Sequence, residues 1–134
     1  MESSSGSLSD AIAGLEWAIN NNMSIVSMSF GFNGYSQIFK EAVQEAYDKE
    51  ILLVASAGNN GKDNILYPAK YNKVIAVGAV DKNNARAPFS SYGFDMELVA
   101  PGIDINSTSL NNQYSTSSGT SMSTPHVTGV AALI

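Results

Sequence analysis

Apolar residues fall at helical spacing in two stretches of the chain, and between and after these lie short runs that are apolar throughout. Leu8, Ile12, Leu15 and Ile19 recur every three or four residues, which predicts a helix over 8–21. Ser7 and Asp10 supply a capping-box pattern at its start, with Asp in place of the usual Glu. A second helix is predicted to follow Gly34-Tyr35-Ser36 and to end near Lys49, with Phe39, Val43, Ala46 and Tyr47 on its inner face. Lys40, Glu41, Glu45, Asp48 and Lys49 read as its solvated side. The runs 25–30, 51–55, 74–80 and 98–100 are too short for helices and carry apolar residues on both faces, as strands of a parallel sheet covered by helices must. Asn111-Asn112, between 105–110 and 114–118, predicts a terminal hairpin. The order is helix, strand, helix, three strands, hairpin, helix, an α/β pattern without internal repeat.

Composition narrows the classes. A chain of 134 residues, 44% hydrophobic and 14% charged, reads as one globular domain large enough to bury a core. Residues 1–7 read as a linker. A net charge of −5 without a Lys/Arg cluster argues against a nucleic-acid partner. No apolar run approaches the roughly 20 residues that cross a bilayer, so no membrane partner is expected. Met1-Glu2-Ser3 lacks the basic and apolar regions of a secretion signal. With no cysteine, disulfides, thiolate metal sites and a cysteine nucleophile are excluded.

The chemistry concentrates near the C-terminus in Gly119-Thr120-Ser121-Met122-Ser123-Thr124-Pro125-His126. A small-residue turn here delivers Ser121 to the start of a helix, where unpaired N–H groups and the positive end of the helix dipole stabilise developing negative charge. Pro125 is expected in or just beyond the first helical turn. The plainer reading of Gly-Thr-Ser alone is a helix cap. His126 is the only histidine. Five residues along a helix rotate a side chain by about 140°, so His126 points away from Ser121 and reads as a buried, hydrogen-bonded helix residue beside Val127, Gly129 and Ala131. Asp81, Asp95 and Asp104 read as solvated loop charges. Asn59 follows the run 51–55 through a glycine-containing turn, which puts an amide at the ligand-binding edge of an open α/β sheet. Its alternative is a turn role with Asn60 and Gly61. Gly58-Asn59-Asn60-Gly61-Lys62 is too closely spaced for a phosphate loop. No zinc spacing or twelve-residue calcium loop exists.

Three further blocks stand upstream of the serine block: Ser24-Ile25-Val26-Ser27-Met28-Ser29-Phe30-Gly31, Val54-Ala55-Ser56-Ala57-Gly58-Asn59-Asn60-Gly61, and Tyr67-Pro68 followed by Val74-Ile75-Ala76-Val77-Gly78-Ala79-Val80. Together with the serine block, and in this order, they resemble the subtilisin family of serine proteases over nearly the whole chain. The resemblance implies a partial subtilisin-like fold: a parallel sheet flanked by helices, with a C-terminal hairpin and a buried helix. It implies a serine endopeptidase working through an acyl-enzyme on Ser121, with Asn59 and the Ser121 N–H as oxyanion donors. Ser29, Phe30 and Gly31 would be the strand that pairs with substrate, and Ser56, Ala57 and Gly58 would line the primary side-chain pocket. Gly119 and Thr120 would contact substrate beside the serine. Leu66 would occupy the pocket floor, where many members carry a small residue, which puts the substrate preference in doubt.

No cofactor is implied for the chemistry. A weak structural site for calcium or a monovalent cation would use the carbonyls of Ala69, Tyr71 and Val74. The family's aspartate and histidine lie upstream of every block matched here, so the chain resembles the C-terminal part of a catalytic domain, cut at both ends and inactive alone. Its implied partners are polypeptide substrates, the missing N-terminal portion and a second copy of itself; the alternative function is a non-catalytic peptide- or partner-binding fragment. A secreted parent is implied, with a cytoplasmic one as the alternative.

Overall fold

A computed structural model describes residues 6–134; the linker expected over 1–7 lies mostly outside the described residues. Helix α1 (Leu8–Asn20) starts where the Ser7 Oγ accepts the Asp10 N–H at 3.1 Å. Helix α2 (Gln37–Asp48) starts in the same way, with Ser36 Oγ accepting from Phe39 N. Its buried face is Phe39, Ala42, Val43 and Ala46. Tyr47, expected on that face, is exposed, and the Lys73 ammonium sits 4.2 Å over its ring. Tyr47 is the last residue but one of the helix.

Strands β1 (Ile25–Met28), β2 (Leu52–Ser56), β3 (Ile75–Val80) and β4 (Leu98–Pro101) form a parallel sheet in sequential order. The run 25–30 therefore leaves the sheet after Met28, two residues earlier than its apolar pattern predicts. Helices α1 and α2 cover one face through Leu15, Ile19, Phe39, Val43, Met28 and Leu53. Helix α3 (Thr120–Ala131) covers the other, where Val54, Val77 and Ala100 meet Val127. Each β2 residue after Leu52 is buried, as a strand packed on both faces requires.

Strands β5 (Ile105–Ser109) and β6 (Gln113–Ser117) form a separate antiparallel hairpin, exposed along nearly its whole length. Its three-residue turn, Leu110–Asn112, places Asn111 and Asn112 at φ 58° and 56°, left-handed conformations that asparagine tolerates.

Helix α3 is buried along one face only. Thr120, Ser123 and Thr124 are inaccessible, while Pro125, His126, Gly129 and Val130 are exposed. A helix is buried all round only when a second layer lies on its outer side, and the described residues supply just the sheet. Among the described residues no helix is long and apolar enough to cross a membrane.

Candidate active site

The carboxyl ends of β1 and β2, the turn after β4 and the first residues of α3 converge on one place. Gly102 makes the approach possible: a Cβ there would lie 2.3 Å from Ser123 Oγ and 2.6 Å from the Ala79 Cβ. Gly102 O accepts the Gly119 N–H at 2.8 Å, which fixes the entry of the chain into α3.

Ser121 Oγ donates to the Ser29 carbonyl at 3.1 Å, and Ser29 Oγ donates to the Ser121 carbonyl at 2.9 Å. The second bond depends on Pro125. That residue lies in the second turn of α3, further in than its N-terminal preference predicts, and it has no N–H to give the carbonyl four residues back. The Ser121 carbonyl is thus left free, and Ser29 takes it. The helix loses one ladder bond and gains a tie to the strand end.

Thr120 is fully buried. Its N–H and its hydroxyl donate to Asn59 Oδ1 at 2.8 and 2.9 Å, and its Oγ1 accepts the Gly58 N–H at 3.3 Å. The side chain therefore faces Asn59 and Gly58 and is not open to solvent. With Oδ1 doubly engaged, the amide turns Nδ2 outward. A Cβ built on Gly119 would lie 3.5 Å from Asn59 Nδ2 and 3.7 Å from Ser121 N. Asn59 Oδ1 lies 3.8 Å from the same point but is engaged by Thr120, so two uncommitted donors border one small space that glycine leaves open, at a helix N-terminus.

His126 is exposed, and its Nδ1 lies 2.8 Å from the Met122 carbonyl, one turn back. The expected hydrogen bond is present and the expected burial is not, because His126 lies on the uncovered side of α3. Asp95 and Asp104 are exposed, and Asp81 Oδ1 accepts the N–H groups of Asn83 and Ala85 within its own turn.

Ser29, Phe30 and Gly31 run on from β1 as an exposed segment, and the buried Ser56 Oγ donates to the Phe30 carbonyl at 3.3 Å. Ala57 and Gly58, both buried, continue from β2. Leu66 lies between the two segments, its N–H donating to Ala57 O at 2.9 Å. Beyond Phe30 a groove of about 500 Å³ is lined by Leu8, Ala11, Phe30 and Phe32, with Asp10 at its rim.

An aromatic cluster that periodicity does not reveal supports this side. Phe32 and Tyr67 exchange backbone hydrogen bonds at 2.8 and 3.2 Å and stack with centroids 6.1 Å apart, and Tyr71 packs on Tyr67 and Phe39. Tyr71 OH donates to the Ser36 carbonyl at 2.8 Å, and burial holds its phenol above its ordinary pKa. The signal in the sequence is aromatic density over 30–39 and 67–71, without a period.

For a cation, the Tyr71 carbonyl already accepts the Val74 N–H at 3.0 Å. Ala69, Tyr71 and Val74 offer neutral carbonyls alone, a donor set that suits a weakly held ion. The described residues contain no cluster of three His, Cys, Asp or Glu side chains that could hold a metal.

The sequence matches the model of the Subtilase family (Peptidase S8) over residues 1–134. It is 53% identical over 130 residues to a thermostable alkaline protease of Halalkalibacterium halodurans, covering 97% of this chain and 36% of that protein. It is 48% identical over 136 residues to Subtilisin DY of Bacillus licheniformis, covering 98% of this chain and 50% of that one. The structure of the prenylagaramide maturation protease PagA aligns with a TM-score of 0.92 at 33% identity, covering 99% of this chain and 52% of that chain. The chain spans between about a third and a half of the length of these relatives.

Proposed function

We propose, from the premise that this chain belongs to the subtilase family, that it carries the nucleophile side of a serine endopeptidase site. Ser121 attacks the scissile carbonyl of a polypeptide and is acylated. Asn59 Nδ2 and the Ser121 N–H receive the oxygen as it becomes negative, and the helix N-terminus adds to that field. The observation that carries this reading is the pair of donors flanking the space over Gly119. Both are held before any substrate arrives, Asn59 by Thr120 and Ser121 by Ser29. Ser29, Phe30 and Gly31 pair with the substrate backbone as an added strand. The names of the relatives carry protease activity and none carries partner binding, which favours the enzyme over the non-catalytic alternative.

The general base is not in this chain. His126 is its only imidazole, on the outer side of α3 with Nδ1 directed to Met122 O, and the Ser121 hydroxyl donates a hydrogen bond to the Ser29 carbonyl, which is too weak a base to take its proton. The isolated chain is a negligible protease. A portion bearing the imidazole and its carboxylate completes the site by docking at β1, which is an edge strand among the described residues. The same edge lets the chain associate with itself. Any cation held by the carbonyls of Ala69, Tyr71 and Val74 is structural and takes no part in catalysis.

A fluorophosphonate serine probe tests the reading. Little labelling is expected from the chain alone, and rapid labelling after the N-terminal portion of a relative is added. Rapid, stoichiometric labelling of the isolated chain, lost in Ser121→Ala, would sink the absence of a base.

A further inference from the structure

The chain holds two Asn-Gly pairs, Asn33-Gly34 and Asn60-Gly61. In such a pair the backbone nitrogen of the glycine can attack the side-chain amide carbon of the asparagine, because glycine has no side chain to hinder the approach. The attack needs an amide side chain free to turn, a glycine N–H not engaged elsewhere, and room for the peptide unit between them to rotate. Both asparagines are exposed, so exposure does not distinguish them. Their hydrogen bonds do.

Asn60 Oδ1 accepts the Lys62 N–H and the Ser91 hydroxyl, both at 3.0 Å. The Gly61 N–H donates to Phe89 O at 2.7 Å, and the Pro88 carbonyl oxygen lies 2.6 Å from where a Cβ on Gly61 would sit. Rotation at this pair breaks all of these bonds and presses on backbone. At the other pair, among the described residues, neither the Asn33 side chain nor the Gly34 N–H has a hydrogen-bond partner, and nothing lies within 4 Å of a Cβ position on Gly34. The pair hangs between two fixed points. Phe32 exchanges backbone bonds with Tyr67, and Ser36 is held through both its N–H and its carbonyl by the Tyr71 hydroxyl.

We infer that Asn33 is a site of spontaneous deamidation, and that the fold shields Asn60, the neighbour of Asn59, from the same reaction. The Gly34 nitrogen loses its proton to solvent base and bonds to Asn33 Cγ, and the side-chain nitrogen leaves as ammonia, giving a cyclic imide. Water then adds to one of the two imide carbonyls and breaks its C–N bond. One opening gives an aspartyl residue at position 33; the other gives an isoaspartyl residue, whose main chain runs through the former side chain and is longer by a methylene. Either product adds one negative charge to the net −5 of the chain. The isoaspartyl product also lengthens the span between the ties at Phe32 and Ser36, just beyond the segment 29–31. The pair beside Asn59 stays intact until a local opening releases its three bonds.

The test follows both pairs in one sample. The 134-residue chain is incubated at mildly alkaline pH, folded and in urea. Samples taken over time are digested with trypsin, and mass spectrometry reads the gain that accompanies replacement of NH2 by OH. Cleavage after Lys40, Lys49 and Lys62 puts the pairs in separate peptides, 1–40 and 50–62. In the folded chain Asn33 is expected to convert at least about tenfold faster than Asn60, because three hydrogen bonds oppose the reaction at Asn60 and none does at Asn33. In urea the two rates are expected to converge, and Asn33→Ser is expected to remove the fast conversion from peptide 1–40. Equal rates in the folded chain would overturn the shielding of Asn60. A folded chain that keeps Asn33 intact while the urea sample converts it would overturn the assignment of Asn33.

Discussion

At its first turn α3 buries Thr120, Ser123 and Thr124 completely, whereas beyond its middle Val130 is 62% exposed and the chain ends at Leu133 and Ile134, 88% and 103% exposed. Each buried hydroxyl at the first end has a named partner: Asn59 for Thr120, the Ala100 carbonyl for Ser123, the Thr120 carbonyl for Thr124. The far end instead borders an apolar groove of about 410 Å³ with Leu98, Val99 and Pro101. The helix is one element of continuous geometry, so propensity does not explain the contrast. What differs is how many other parts of the chain reach each end. Two strand ends and the turn at Gly102 meet at the first, whereas the second meets only β4, an edge strand among the described residues, and Ile75 at the start of β3.

Substitutions at the two ends break or sharpen that contrast. The largest effect is expected from Gly102→Ala, because a methyl 2.3 Å from Ser123 Oγ has no room and its neighbours are buried. We expect a loss of about 3 kcal/mol, at the upper end of the cost of overpacking, read as a shift in the urea midpoint. An unchanged midpoint would mean that the first turn of α3 is looser than described. Next comes Thr120→Val, which keeps the shape and removes the hydroxyl between Gly58 N–H and Asn59 Oδ1. A buried donor left without its partner costs about 2 kcal/mol. Thermal unfolding should show most of that restored by Thr120→Ser, and a loss shared equally by both variants would assign the effect to packing. The smallest effect is expected from Val130→Ser, within about 0.5 kcal/mol, as for exposed positions generally. A loss several times larger, and dependent on protein concentration, would show that a second copy covers this end.

The contrast also marks what could be read from the residues. Ser7, Ser36 and the Asn111-Asn112 pair announce local geometry, and each does what its chemistry requires within a few residues of itself. Strand identity was equally legible in β2 and β3, where burial on both faces leaves the apolar run unbroken. Legibility fails where the deciding neighbour is distant. Periodicity gave the inner face of α2 and could not say that Tyr47 is exposed. Helical rotation placed His126 away from Ser121 and could not say that nothing covers that side. The hydroxyl of Thr120 was legible as polar, but its partners lie 61 and 62 residues away. Pro125 looked like a helix-start residue, and its effect is to free a carbonyl for Ser29, 92 residues from Ser121.

Those separations carry a consequence for the order of events in folding. Ser7 and Ser36 reach partners three residues away, so α1 and α2 can be capped as soon as they form. Asn59 gains its orientation only from Thr120, 61 residues on, and closing a loop of that length costs about 3–4 kcal/mol in chain entropy before the contact returns anything. No partly formed state in which α3 is undocked can present the amide correctly. The arrangement around Ser121 therefore forms only with the docking of α3, and not with the local capping of α1 and α2.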